Sequence, residues 1–400
     1  MKKGQELPKK RIVIIGGGTA GITVAARLAK SEHYLDITVL EPALKHYYQP
    51  LWTLVGAGVF KASDSARDEK SVIPPGVVWL QERVVSVDAQ KNVVVTESGK
   101  ELAYDVLIVC PGMQINWNQI EGLEQTLGRN GVCSNYSYES VPYTWECIER
   151  FAGGVAVFTD PKTVVKCGGA PQKICYLADD HFRRSGVREK TEVMYISGKP
   201  KLFTVERYER TLRKVQERKD IAARFAMNLI AVDGAAKAAT FENVDTGEKS
   251  SVKFDMIHVT PPMGPPDFIK TSGLGDANGW VDVDKYTLQH VRHPNVFSLG
   301  DCSSLPTSKT GAAIRKQAPV AVANVLAYLQ RLEPVAKYDG YTSCPLVTGY
   351  KGLVLAEFDY DLQPKETFPF DQSKERYSMY LLKKYVLPKL YWNGMLKGRG

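Results

Sequence analysis

Six residues near the N-terminus, Gly16-Gly17-Gly18-Thr19-Ala20-Gly21, decide most of what this chain can become. They fit G-x-G-x-x-G, and their context gives the pattern its force. Arg11 to Gly16 reads as a short buried strand, Ile22 to Lys30 as a helix, and Leu35 to Leu40 as a second strand ending at Glu41. In such a unit Gly16 permits the tight turn, Gly18 lets the backbone approach a pyrophosphate, and Gly21 lets the helix lie close to the strand. The amides freed at the helix start attract phosphates. Glu41 is placed to bond a ribose hydroxyl, and its charge argues against a 2′-phosphate, which leaves FAD or NAD.

Length and pattern imply more than one such unit. Four hundred residues suit two domains and an appendage, and 44% hydrophobic with 24% charged residues describes a folded globular chain. Residues 1–112 read as the first part of a dinucleotide-binding domain, in which Val77 to Val87, Asn92 to Thr96 and Tyr104 to Cys110 supply further strands. Residues 113–260 read as a second α/β domain, with strands Val155 to Phe158, Glu192 to Ile196 and Phe254 to Thr260 and a helix around Ile174 to Arg184. Residues 261–340 return to the first domain through the strand Val296 to Leu299. Residues 341–400 form a C-terminal region. The fold class expected is α/β, with two tandem Rossmann-like domains. No stretch of about eighteen apolar residues exists, so no segment is expected to span a bilayer. The polar start, Met1 to Lys10, has no apolar core or cleavage site, and no secretory signal is expected there.

FAD is favoured over NAD by a second signature, Asn295-Val-Phe-Ser-Leu-Gly300-Asp301, where a strand ending in Gly-Asp can aim the Asp301 carboxylate at a ribityl chain. An NADH site in the second domain would need its own glycine turn. The strand Val155 to Phe158 instead runs into Thr159-Asp160-Pro161-Lys162, which holds no glycine. Electrons are therefore expected from something smaller than a nicotinamide dinucleotide. The seven cysteines form neither a CxxC pair nor a zinc spacing, so no metal site is expected. Cys167, beside Lys166 and just ahead of a helix, has the surroundings that lower a thiol pKa. Cys344, in a turn-rich segment, reads on its own as a lone cysteine.

Four stretches together resemble the sulfide:quinone oxidoreductases, the mitochondrial-type branch and its bacterial relatives in particular. They are Lys166-Cys-Gly-Gly-Ala-Pro-Gln-Lys173, His258-Val-Thr-Pro-Pro-Met263, Gly300-Asp-Cys-Ser-Ser-Leu-Pro-Thr-Ser-Lys-Thr310 and Tyr341-Thr-Ser-Cys-Pro-Leu-Val-Thr-Gly-Tyr350. The resemblance runs from Ile12 to Asn393 and implies a glutathione-reductase-like flavoprotein that holds FAD. It implies that Cys167 and Cys344 form a redox-active disulfide, or a sulfur-bridged form of it. Hydrogen sulfide would attack Cys344 and leave a persulfide, and Cys167 would depart as the thiolate that passes two electrons to FAD. Glutathione, sulfite or cyanide would then remove the sulfur, and quinone would take the electrons. By position, the flavin contacts implied are Gly16, Gly18, Thr19, Ala20, Gly21, Glu41, Gln49, Val84, Asp301, Lys309, Thr310, Gly311 and Ala312. Cys133 is expected to be uninvolved, and Cys110 has no obvious partner. A homodimer is left open.

From Lys374 onward basic residues alternate with aromatic and aliphatic ones: Lys374, Arg376, Lys383, Lys384, Lys389, Lys397 and Arg399 against Tyr377, Tyr380, Tyr385, Tyr391 and Trp392. Such a mixture suits helices in the headgroup plane of an anionic membrane, split in two at Pro388. The chain is then a monotopic protein of a bacterial cytoplasmic or mitochondrial inner membrane, with no nucleic-acid partner for its charge of +8. The plainer alternative is an amphipathic helix covering the core. Phe358, Tyr360, Phe368 and Phe370 are assigned to a quinone pocket. Two competing functions are a type II NADH:quinone reductase and a non-catalytic flavin redox sensor that binds a partner through the tail.

Overall fold

The computed structural model describes residues 9–31 and 33–399. Most of the polar start Met1 to Lys10 lies outside that range. The first unit supplies β1 (Lys10–Ile15), α1 (Thr19–Leu28), β2 (Leu35–Leu40), β3 (Val78–Leu80) and β4 (Val106–Val109). The second supplies β5 (Val132–Cys133), β6 (Gly154–Asp160), α2 (Ala170–Arg184), β7 (Thr191–Ser197), β8 (Ala222–Arg224) and β9 (Met256–His258). The chain then gives β10 (Val296–Ser298), α3 (Gly311–Leu329), the hairpin β11 (Thr342–Gly349) with β12 (Gly352–Phe358), and finally α4 (Tyr377–Leu381) and α5 (Leu387–Asn393).

Two parallel five-stranded sheets organise these elements, in the orders β10-β4-β1-β2-β3 and β5-β9-β6-β7-β8. Central strands of such sheets are covered on both faces, which is why Ile12 to Ile15 and Val106 to Val109 are unbroken apolar runs with every side chain buried. In the first sheet the strand order reverses at β1, which lies between β2 and β4. The glycine turn leaves the carboxyl end of β1, the switch point at which open α/β sheets take ligands. In the second sheet β6 holds the same place between β9 and β7 and ends at Asp160.

Three elements differ from their sequence reading, and the first is the segment around Cys344, read as turn-rich, which is the buried strand β11. The run Val77 to Val87 is broken at Gln81-Glu82-Arg83. Its first half is β3, and Val84–Asp88 pairs antiparallel with Val93–Thr96 in a separate meander. Gln81 and Arg83 of this polar triplet are exposed, and β3, itself only partly buried at the edge of its sheet, stops before it. The tail is also not split at Pro388. A π-helical turn at Leu382–Val386 joins α4 to α5, and Pro388 falls in the first turn of α5, where no internal amide is required of it.

Candidate active site

The glycine turn forms one wall of the site. Gly18 precedes α1 with no side chain capping the helix, and a Cβ built there meets nothing within 4 Å. First-turn amides therefore face open space, as an incoming phosphate requires. Gly21 is different, since a Cβ would sit 1.9 Å from Gly16 O, so only glycine lets α1 lie this close to β1. Glu41 is fixed by two amides: Gly17 N–H donates to Oε2 at 2.8 Å and Ala43 N–H donates to Oε1 at 2.8 Å. Each oxygen keeps a lone pair for a hydroxyl. Further along, Gly300, Asp301, Lys309, Thr310 and Gln317 lie together around one narrow recess. Burial raises the pKa of Asp301, with Lys166 and Lys309 acting against it. Open amides, a held carboxylate and a recessed acid among lysines are the donor and acceptor set that a flavin dinucleotide needs.

The corresponding place in the second sheet has no glycine turn and is occupied by a paired acid. Asp160, 3% exposed at the end of β6, accepts from Tyr195 OH at 3.0 Å and from Lys199 Nζ at 2.7 Å. A buried carboxylate stands where an NAD pyrophosphate would bring its own negative charge. Beyond it, Asn228 Oδ1 accepts from Lys162 N–H and Thr163 Oγ1 accepts from Met263 N–H, so the loop is drawn on toward Cys167.

That loop ends at Cys167, one of the two cysteines singled out from the sequence. Cys167 lies at φ 56°, a left-handed conformation that costs a non-glycine residue roughly 1 kcal/mol or more. It is kept there by two backbone bonds, its N–H to Lys309 O at 2.8 Å and its carbonyl from Ala170 N–H at 2.7 Å. Cys344 projects from β11, which packs on the start of α2. A Cβ on Gly169 would fall 2.1 Å from Leu346 Cδ2 and 3.1 Å from Cys344 Sγ, so the absent side chain is what admits the second cysteine. The two sulfurs stand 3.2 Å apart as free thiols. Sulfurs this close need only small side-chain rotations to reach a disulfide bond of about 2.05 Å.

Their electrostatics are unequal. The Cys167 pKa falls well below that of an ordinary thiol, first because Cys344 donates a hydrogen bond to it, and then because Lys173 and Lys383 outweigh the effect of burial. Lys173 Nζ donates to Cys167 Sγ at 3.0 Å. Cys344 moves the opposite way, raised well above normal by that same hydrogen bond and by burial. The pair is thus a thiolate at 167 facing a thiol at 344. Burial opposes charge on Lys173, yet the two sulfurs outweigh it and its pKa is raised.

Lys383 is the residue that the sequence misplaced. Assigned to the headgroup plane, it is 5% exposed, and its ammonium donates to Pro50 O at 3.2 Å. Burial, with Lys173 adding repulsion, lowers its pKa to about 7. The unfolded value is about 10.4. Between about pH 7 and pH 10 the unfolded chain therefore binds more protons here, so stability from this group rises with pH and its cost is greatest below about pH 7. Lys383→Met should raise the melting temperature at about pH 6.5 by more than at about pH 9.5. An equal shift at both, by scanning fluorimetry, would show that the buried ammonium carries no such cost.

Of the other residues singled out from sequence, Gln49 accepts from Lys166 Nζ at 2.7 Å, and Val84 is buried at the start of its strand. Thr310 caps α3, accepting from Ala313 N–H at 3.1 Å, and Gly311 and Ala312 open that helix behind Lys309. Cys110 and Cys133 are fully buried thiols raised well above their ordinary pKa, first by desolvation. The four aromatic residues given to quinone are not gathered into one wall. Phe358 packs edge-on to Phe203, Tyr360 meets Tyr286 and Tyr338, and only Phe368 and Phe370 stack on each other. Sequence reading missed Lys173, six residues past Cys167 and so on the face of α2 that looks back at its own start. It also missed His46 and Glu69, whose partners lie far away in the chain.

Comparison with known proteins agrees with this geometry. The family model described as pyridine nucleotide-disulphide oxidoreductase matches residues 10–324. The mitochondrial sulfide:quinone oxidoreductase of Dictyostelium discoideum is 50% identical over 392 residues, covering 97% of this chain and 86% of that protein. Its namesake from Mus musculus is 46% identical over 388 residues, again 97% and 86%. The X-ray structure of the sulfide:quinone oxidoreductase from Aquifex aeolicus shares the fold, with a TM-score of 0.83 at 20% identity over 98% of this chain and 92% of that one. With two cysteines brought together from positions 167 and 344 and relatives this similar over nearly its whole length, the chain belongs to the sulfide:quinone oxidoreductase family.

Proposed function

We propose that this protein is a FAD-dependent enzyme that oxidises hydrogen sulfide at Cys167 and Cys344 and passes the electrons to a membrane quinone. The observation that carries it is the polarised pair, two sulfurs 3.2 Å apart with Lys173 on one of them. When the pair is joined as a disulfide, hydrosulfide attacks Cys344 Sγ. A new S–S bond forms there, the Cys344–Cys167 bond breaks, and the electron pair leaves on Cys167, the sulfur that Lys173 stabilises. Bound FAD supplies a two-electron acceptor that quinone can reoxidise. Glutathione, sulfite or cyanide takes the outer sulfur from the Cys344 persulfide, and loss of two electrons from the thiol pair restores the disulfide. Gly16 to Gly21 and Glu41 would hold the adenosine half and pyrophosphate of FAD; Asp301 and the run Lys309 to Ala312 would hold the flavin half. Asp160 argues against NADH as donor.

Anaerobic titration of the purified holoprotein tests this directly. With sulfite present to take the outer sulfur, sulfide should bleach the flavin absorbance at about one equivalent, and NADH should leave it unchanged. Bleaching by NADH, or none by sulfide, would overturn the assignment.

For the membrane we propose peripheral docking through the outer face of the tail, as a monotopic protein of a mitochondrial inner or bacterial cytoplasmic membrane. No helix among the described residues is long and apolar enough to cross a bilayer. While Lys383 and Tyr391 turn inward, Tyr377, Tyr385 and Val386 remain 51–52% exposed, with Lys389 and Lys397 also exposed. Each lysine near an anionic surface contributes about 1 kcal/mol. Lys389→Glu should weaken flotation with anionic vesicles by about tenfold, because the charge is reversed, and leave binding to neutral vesicles at background. Unchanged flotation would remove this face from consideration.

A further inference from the structure

The last helix reaches the glycine turn through one hydroxyl. Tyr391 OH lies 2.5 Å from His46 Nε2 and 3.0 Å from Thr19 Oγ1. His46 Nδ1 lies 3.0 Å from Gly17 O and 3.3 Å from Glu69 Oε2. A carbonyl only accepts, so Nδ1 carries a hydrogen. His46, Glu69 and Tyr391 are 2%, 1% and 3% exposed, and Glu69 Oε1 has no hydrogen-bond partner among the described residues. Thr19 alone of the four is only half-buried, and it opens α1 beside the bare helix start at Gly18.

A chain of this kind fixes the position of its last member. With Nδ1–H turned to Gly17 O and Glu69, Nε2 shares a hydrogen bond with Tyr391 OH, and that hydroxyl shares the next one with Thr19 Oγ1, so the Thr19 oxygen is held at the edge of the groove. Tyr391 is the link between the buried pair and Thr19. Its ring is already placed by packing on Tyr48, with centroids 4.4 Å apart, and the neighbouring Trp392 is held under Arg67 at 4.8 Å.

We propose that Tyr391 is a positioning residue for the dinucleotide, tying Thr19 to the buried His46–Glu69 pair so that the Thr19 hydroxyl is held where it meets the cofactor's pyrophosphate. The inference rests on FAD occupying the groove. It makes the C-terminal helix, whose outer face is offered to the membrane, part of the cofactor's binding site.

The test is a double-mutant cycle on flavin release from the holoprotein, followed by the rise in flavin fluorescence. Tyr391→Phe keeps the ring and removes the hydroxyl; Thr19→Val removes the hydroxyl that it orients. Each should speed release about tenfold, the worth of a hydrogen bond to a charged group. The double variant should release no faster than the faster single one, because both act on the same contact. Release from Tyr391→Phe at the wild-type rate, or effects that multiply in the double variant, would overturn the proposal. If Tyr391→Phe does not accumulate, His46→Gln takes its place in the cycle with the same expectations. Purified wild-type protein without FAD would instead sink the cofactor assignment, so the two failures are distinguishable.

Discussion

Cys344→Ser should abolish sulfide-driven quinone reduction, lowering the turnover rate by on the order of 10³-fold or more while the flavin stays bound. Removing the group that forms the covalent bond leaves only binding and electrostatics, and losses of this size are what the loss of such a nucleophile or electrophile costs. Serine nearly preserves the shape beside Gly169 but can form no S–S bond with sulfide. Cys167→Ser should be equally inactive, because no disulfide is left to be opened. The two differ in the wild-type protein when it is reduced and alkylated at about pH 7. Cys167, the thiolate of the pair, should be modified first and Cys344 only later, as peptide mass spectrometry would read out. Either serine variant retaining more than a few per cent of turnover would remove the pair from the mechanism.

Lys173→Met should lower turnover at about pH 7 by about 100-fold and displace the pH profile upward. The sign follows from the geometry. Lys173 Nζ lies 3.0 Å from Cys167 Sγ and favours the charged sulfur. Without it the Cys167 pKa rises, although the Cys344 hydrogen bond and Lys383 still act to lower it, so at neutral pH the departing sulfur is a poorer leaving group. Activity should recover as pH rises and deprotonation replaces the missing ammonium. Lys173→Arg keeps a charge but not the compact point donor, and should fall between the two. A Lys173→Met profile with the wild-type midpoint would show that Lys173 does not act on the sulfur.

Local patterns carried much of this architecture into view. Gly16 to Gly21 and Glu41 sit together because one turn and two adjacent strands bring them there, and the missing glycine after β6 was legible for the same reason. The Cys167–Cys344 contact was not legible from spacing. It depends on β11 lying across the start of α2, a tertiary fact that reached the sequence reading only through resemblance. The tail shows the other limit. Its alternating basic and aromatic residues describe two faces, but periodicity cannot say which one is buried. The π turn rotates Lys383 and Tyr391 inward and leaves Tyr385 and Val386 outside. His46, Glu69 and Tyr391 are each unremarkable in the sequence, since a network across 345 positions between His46 and Tyr391 leaves no local mark.

The amide of Cys167 bonds to the carbonyl of Lys309, a residue just ahead of α3. That stitch joins the loop leaving the second sheet to the segment that follows the first sheet's edge strand, at Cys167 itself. A hinge that swung the two sheets apart would have to tear it and release a backbone already held in a costly conformation. Entry to the pair must therefore come by side chains moving aside and not by the two sheets parting.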